Sequence, residues 1–196
     1  MTVGAVVLAA GGSSRLGQPK QLLHHEGRTL VRRTTETALA AGLSPVVVVL
    51  GAHREAVATA LAGLPVNLVH NPDWAAGLGG SLRVGLRALP PESVDAALVL
   101  LCDQLRVDAP HLSALVDTFS RTQAPIVASG YAGARGVPAL FSRALFAELE
   151  ALAPEEGARR VIAHEPSRVV EVALAGGAED VDTAADLSRL TGAPRG

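Results

Sequence analysis

Apolar residues fall along this chain in two rhythms. Apolar runs occupy Val3 to Ala10, Val46 to Leu50 and Ala96 to Leu101, and a similar one, interrupted by Asn67, occupies Val66 to Val69. A strand with one face in water alternates apolar and polar positions, so these runs predict strands buried on both faces, the habit of parallel sheets. Between them, helical spacing recurs over Thr29 to Ala41, Arg54 to Ala62 and Ser81 to Leu89. The first two segments stop at Gly42 and Gly63, residues suited to a helix C-terminus, and the third runs into Pro90-Pro91. Alternating strand and helix predicts an α/β fold on a largely parallel sheet.

The second half is less regular. Helices are predicted over Pro110 to Thr122, Arg143 to Leu152, Glu156 to His164 and Thr183 to Leu190, with strands over Ile126 to Tyr131, Val137 to Phe141 and Val169 to Ala173. Two successive strands near residues 126 to 141 break the alternation and predict a mixed sheet. Residues 1–192 read as one domain with no linker or repeat, followed by a loose tail over 193–196.

With 196 residues, 48% of them hydrophobic, the chain has material for one core. A net charge of −2 without a block of like charge excludes the electrostatic footprint of a nucleic-acid binder. The single cysteine, Cys102, excludes a disulfide framework and a Cys-rich zinc site. The first cation is Arg15, so the start of the chain lacks the charged region of a signal peptide, and no apolar run nears the ~20 residues that span a bilayer. A cytoplasmic protein without a membrane partner is expected.

In open α/β sheets, ligands bind beyond the carboxyl ends of the strands. Gly11-Gly12-Ser13-Ser14-Arg15-Leu16-Gly17-Gln18-Pro19-Lys20 follows the first run. Glycines let backbone N–H groups approach an anion closely, and Arg15 and Lys20 add positive charge on either side of Gly17. Lys20 is also conspicuous because the other 16 basic residues are all arginine. A polyphosphate is the ligand this composition suits, against the plainer reading of a surface turn. The loop matches neither G-x-x-x-x-G-K-[ST] nor G-x-G-x-x-G.

Asp103 ends the most apolar run and would lie beside that loop if both strands are central and parallel, where it could hold Mg²⁺. A helix N-cap or a loop carboxylate is its plainer role. Asp182 follows the last strand and is either a second metal ligand or the cap of the closing helix, with Thr183 an alternative cap and Asp180 equally ambiguous. Asn71 to Arg83 carries small residues into a helix, which suits an anion or a flat base, or makes an ordinary loop capped by Ser81. Trp74 is a hydrophobic plug or a stacking platform. The six histidines show no metal-ligand spacing.

Leu8-Ala9-Ala10-Gly11-Gly12-Ser13-Ser14-Arg15-Leu16-Gly17-Gln18-Pro19-Lys20 resembles, without a gap, the signature loop L-A-A-G-x-S-x-R-[ML]-G-x-x-K of the MobA-like nucleotidyltransferases. Asn71-Pro72-Asp73-Trp74, Ser81-Leu82-Arg83, Asp103-Gln104, Gly136-Val137-Pro138, Gly157-Ala158-Arg159 and Val181-Asp182-Thr183 follow in the order of its molybdenum cofactor cytidylyltransferase branch. The resemblance implies a Rossmann-like three-layer α/β/α sandwich and transfer of CMP from CTP to the terminal phosphate of a molybdopterin cofactor, releasing pyrophosphate. It assigns the loop from Leu8, Ala9 and Ala10 through Gly11, Gly12, Ser13 and Ser14 to Gly17 to nucleotide binding. Arg15 would take the β- and γ-phosphates and Lys20 the α-phosphate. Asp103 would hold Mg²⁺ (or Mn²⁺) with Asp182 as second ligand, and Asn71, Gly79, Gly80 and Ser81 would lie near base and ribose. Arg15, Lys20 and Asp103 are the implied catalytic set, and a molybdoenzyme or its chaperone is an implied partner.

Leu105, Val137 and Glu155 depart from the usual residues of that branch, in the half that faces the acceptor. Alternatives are a guanylyltransferase using GTP on the same cofactor, a sugar- or polyol-phosphate cytidylyltransferase, and a nucleotide-binding regulator or chaperone without turnover. Leu8-Ala9-Ala10-Gly11 in place of Leu-Ala-Gly-Gly favours CTP over GTP. An NAD-dependent oxidoreductase fits the loop less well.

Overall fold

The computed structural model describes residues 1–13 and 17–191. In chain order its elements are β1 (Val3–Ala9), β2 (His24–His25), β3 (Arg28–Thr29), α1 (Leu30–Ala40), β4 (Val46–Leu50), α2 (Arg54–Ala60), β5 (Asn67–His70), α3 (Leu78–Arg87), β6 (Ala96–Leu101), α4 (Ala109–Thr122), β7 (Ile126–Tyr131), β8 (Ala134–Ser142), α5 (Phe146–Glu150), α6 (Arg159–His164), β9 (Val169–Ala173) and α7 (Ala184–Thr191). Seven strands form one sheet in the order β5-β4-β1-β6-β8-β7-β9. β8 alone among them runs against its neighbours, pairing antiparallel with β6 and β7. The predicted mixed, mostly parallel sheet is what forms.

The unbroken apolar runs have a direct cause. Successive side chains of a strand point to opposite faces, and over β1, β4 and β6 both faces are covered. β5, at the edge of the sheet, is largely exposed and departs from the expected burial. Ala5, Val7 and Ala9 of β1 pack with Val48 and Leu98 under α1, α2 and α4, through Val31, Val57 and Leu112. Val6 joins Val47, Val49 and Val99 on the other face, under α3, α5 and α6, through Leu82, Leu149 and Ile162. Three layers result, α/β/α, as the Rossmann-like reading requires.

Several elements differ from expectation, among them α5 and α6, which are shorter than the segments predicted for them. β8 starts at Ala134 rather than Val137, because cross-strand pairing of Ala134, Arg135 and Gly136 with Tyr131, Gly130 and Ser129 carries a stretch without apolar content. A hairpin, β2 with β3, turns on Glu26 and Gly27, both at positive φ, and has no hydrophobic signature of its own. α3 begins at Leu78, a turn before Ser81. Gly77, at φ 130°, precedes it, and Gly79 brings the first turn against the 153–156 backbone, donating its N–H to the Pro154 carbonyl at 2.9 Å.

Candidate active site

β1 and β6 are parallel neighbours in register, Leu8 beside Leu101, so the segments leaving their carboxyl ends emerge side by side. One of them is the glycine loop and the other is Asp103. A small apolar cluster of Leu23, Leu30, Leu105 and Val181 ties the segment after Lys20 to the chain near residue 181. The Val181 N–H donates to the Asp103 carbonyl at 2.9 Å, and Asp180 bridges to Gln104, so Asp182 is carried to the same place. The sheet thus collects residues separated by up to 162 positions.

Lys20 Nζ donates to Asp103 Oδ2 and to Asp182 Oδ1, at 2.9 Å each. The lysine and Asp103 side chains are 22% and 16% exposed, whereas Asp182 is 64% exposed. Burial alone would lower the Lys20 pKa, but the charges of, and hydrogen bonds to, Asp103 and Asp182 outweigh it and the net direction is upward. The ammonium is therefore held charged. Asp180 is pushed up to about 6, by partial desolvation first and then by the charges of Asp103 and Asp182. Negative charge is in excess here.

Lys20, Asp103 and Asp182 line a cleft of about 340 Å³, together with Leu8, Gly11, Ser13 and Leu78. Asp103 Oδ1 is buried and has no hydrogen-bond partner among the described residues. Among the described residues, no group of three or more His, Cys, Asp or Glu side chains makes a metal cage. A buried carboxylate oxygen without a donor beside a second, open carboxylate fits a divalent cation that keeps waters and shares substrate phosphates, as Mg²⁺ commonly does. Cys102, also on the cleft wall, donates its thiol to the Leu8 carbonyl at 3.6 Å. Burial first, then the Asp103 charge, holds that thiol far above its ordinary pKa, which makes it part of the wall and no nucleophile.

The alternatives for Asp182 separate cleanly. Asp186 N–H donates to Thr183 Oγ1 at 3.0 Å while Thr183 N–H donates to Asp186 Oδ2 at 2.8 Å, a reciprocal capping box at the start of α7. Thr183 is the cap, and the Asp182 carboxylate is left facing Lys20.

The loop itself is braced from below. Trp74 packs its ring on Gly12 so closely that a side chain there would have its first carbon 2.8 Å from the ring. The tryptophan is a floor under the loop. Ser13 Oγ accepts the Lys20 N–H at 2.9 Å and donates to Gln21 Oε1 at 3.4 Å. Gln21 was not among the expected site residues, since a glutamine after a lysine reads as surface; it is 5% exposed and bonded to the loop backbone.

Not every expected residue reaches the cleft. Ser14 and Arg15 lie outside the described residues. Ala9 and Ala10 are buried at the end of β1. Asn71 and Ser81 are buried and satisfy each other, Asn71 Nδ2 donating to Ser81 Oγ at 2.9 Å. Gly79 is occupied by packing against residues 153–156, and a side chain at Gly80 would have its first carbon 3.6 Å from Asn71 Nδ2. The cleft meets this segment through Leu78.

Comparison with known proteins bears on the family and the fold. The chain is 33% identical to the nicotine blue oxidoreductase of Paenarthrobacter nicotinovorans over 199 residues, covering 96% of each. The crystal structure of Rv0371c from Mycobacterium tuberculosis H37Rv superposes with a TM-score of 0.81 at 32% identity, over 99% of this chain and 100% of that one. A structure of the same protein in complex with manganese gives 0.80 at 30% identity, with the same coverage. The model of the MobA-like NTP transferase domain matches residues 5–170, most of the sheet and the glycine loop included, and with it the chain belongs to the MobA-like family of nucleotidyltransferases.

Proposed function

We propose that this protein transfers CMP from CTP to the terminal phosphate of a molybdopterin cofactor. A phosphate oxygen of the acceptor attacks the α-phosphorus, the bond to the bridging oxygen of the β-phosphate breaks, and pyrophosphate leaves. No covalent enzyme intermediate is needed, so the protein's task is positioning and charge neutralisation. The observation that carries the reading is the placement of Lys20 beside the glycine loop and between two carboxylates. Lys20 would take the α-phosphate, Arg15 and the loop from Gly11 to Gly17 the β- and γ-phosphates, and the first turn of α3, which meets the cleft through Leu78, the nucleoside side.

Asp103 and Asp182 are the residues to hold Mg²⁺ or Mn²⁺, which when bound would offset charge on the phosphates. The manganese complex of the Mycobacterium tuberculosis relative supports a divalent ion in this family. CTP is favoured by Leu8-Ala9-Ala10-Gly11, and the acceptor by the order of motifs from Asn71 to Thr183. The test is pyrophosphate release with purified molybdopterin cofactor and Mg²⁺, comparing CTP with GTP. Turnover preferring CTP by tenfold or more is expected, and none with either nucleotide would overturn the assignment.

The oxidoreductase name of the Paenarthrobacter relative favours a second reading, redox chemistry on a small substrate. The glycine loop opposes it, because Gly11-Gly12-Ser13 lacks the Gly-x-Gly that admits a dinucleotide pyrophosphate. Oxidation of NADH or NADPH by the purified protein, matched by reduction of an added quinonoid acceptor, would decide for it.

A further inference from the structure

Donors and acceptors of the glycine loop are unequally committed. Gln21 Nε2 donates to the carbonyls of both Ala9 and Gly11, at 3.1 and 2.8 Å. The Ala10 carbonyl accepts from the Ala52 N–H at 3.1 Å, and the Gly12 carbonyl lies 3.3 Å from His53 Nε2. Four consecutive carbonyls are thereby tied to the protein. The N–H groups of Gly11, Gly12 and Ser13 have no acceptor among the described residues. A carbonyl turned into the cleft would repel an anion, and an unpaired N–H turned there attracts one, so this partition is what makes a loop an anion nest.

Gln21 contributes two of the four ties from a single buried amide. Burying an amide is unfavourable unless its hydrogen bonds are made, and here both N–H bonds reach loop carbonyls while Oε1 receives the Ser13 hydroxyl. Ser13 Oγ in turn holds the Lys20 N–H. One side chain therefore sets both the curvature of the loop and the backbone from which the lysine projects.

We propose that Gln21 is a positioning residue for triphosphate binding, holding the Ala9 and Gly11 carbonyls back so that the loop amides face the anion. The proposal rests on the nucleoside triphosphate reading given above. It acts through the loop, so its loss should weaken nucleotide binding more than the chemical step.

Gln21→Met keeps the length of the side chain without the amide, and Gln21→Glu sets an acceptor against two carbonyls. With CTP and Mg²⁺, the KM for CTP is expected to rise more than tenfold in Gln21→Met and further in Gln21→Glu, while kcat at saturating CTP changes less than threefold. A merely structural role would lower Tm and the active fraction without moving KM. A folded Gln21→Met protein with the wild-type KM overturns the proposal and leaves the triphosphate reading standing; a wild-type protein that does not bind CTP removes both. Should neither variant fold, amide hydrogen exchange on the wild-type protein decides. Exchange at Gly11, Gly12 and Ser13 should be fast without nucleotide and slow at least tenfold with CTP and Mg²⁺, and rates that do not change overturn the proposal.

Discussion

Lys20 and Asp103 stand 83 positions apart in sequence and 2.9 Å apart in space, joined because the glycine loop and the Asp103 turn leave neighbouring parallel strands. In the free protein the ammonium thus occupies ground between the two carboxylates that a divalent ion would use. Removing it should have opposite effects on two measurements. Lys20→Met is expected to bind Mn²⁺ at least threefold more tightly in the absence of nucleotide, read by titration of free Mn²⁺. Its kcat/KM with CTP should fall more than tenfold, each decade being about 1.4 kcal/mol. Unchanged values in both assays would make the ion pair a structural accident.

Asp103 carries a buried oxygen without a donor among the described residues, an arrangement that does little for the stability of the fold. Asp103→Ala is therefore expected to keep the thermal unfolding midpoint within a few degrees of wild type, and to lose metal-dependent pyrophosphate release. Near-normal turnover in that variant would refute a metal role for Asp103.

The chain has one tryptophan, and its ring lies directly under Gly12. Its fluorescence should change when a nucleoside triphosphate fills the loop, and the amplitude should saturate with the same constant as binding measured by calorimetry. Gly12→Ala places a methyl group inside contact distance of the rigid indole. That overpacking should cost about 1–3 kcal/mol of stability and weaken CTP binding by more than tenfold, since the loop must lift from its floor.

How much of this was legible beforehand follows from which forces leave a trace in composition. β1, β4 and β6 are plain as apolar runs because both their faces are covered, and Lys20 with Asp103 followed from placing two such strands side by side. The direction of β8 shows in spacing instead of in apolar content, since β7 and β8 follow one another with no helix between them. It is set by a tight turn at Ala132 and Gly133, both at positive φ. Gln21, by contrast, was illegible: its burial depends on carbonyls twelve and ten residues back, and nothing in a Lys-Gln pair announces them. The cap of α7 could have been read from Thr183-Ala184-Ala185-Asp186, a capping box with the shorter acid in the fourth place.

His111 supplies a pH dependence separate from the cleft. Its Nε2 lies 2.8 Å from Ser129 Oγ, and Ser129 gives its own proton to the Pro138 carbonyl at 2.6 Å. The hydroxyl proton being used, the imidazole must donate from Nε2, which the neutral ring does when Nε2 bears its proton. Burial lowers the His111 pKa below the usual 6.5, and the nearby charge of Asp108 only partly opposes it. The unfolded chain consequently takes up a proton at this site before the folded one does, so stability is complete above pH 6.5 and declines as pH falls through the interval down to the folded pKa. The urea midpoint should drop between pH 7.5 and 5.5 in wild type. In His111→Gln, which retains a donor for Ser129 but cannot titrate, that drop should shrink. An equal drop in both proteins would assign the pH dependence to other groups.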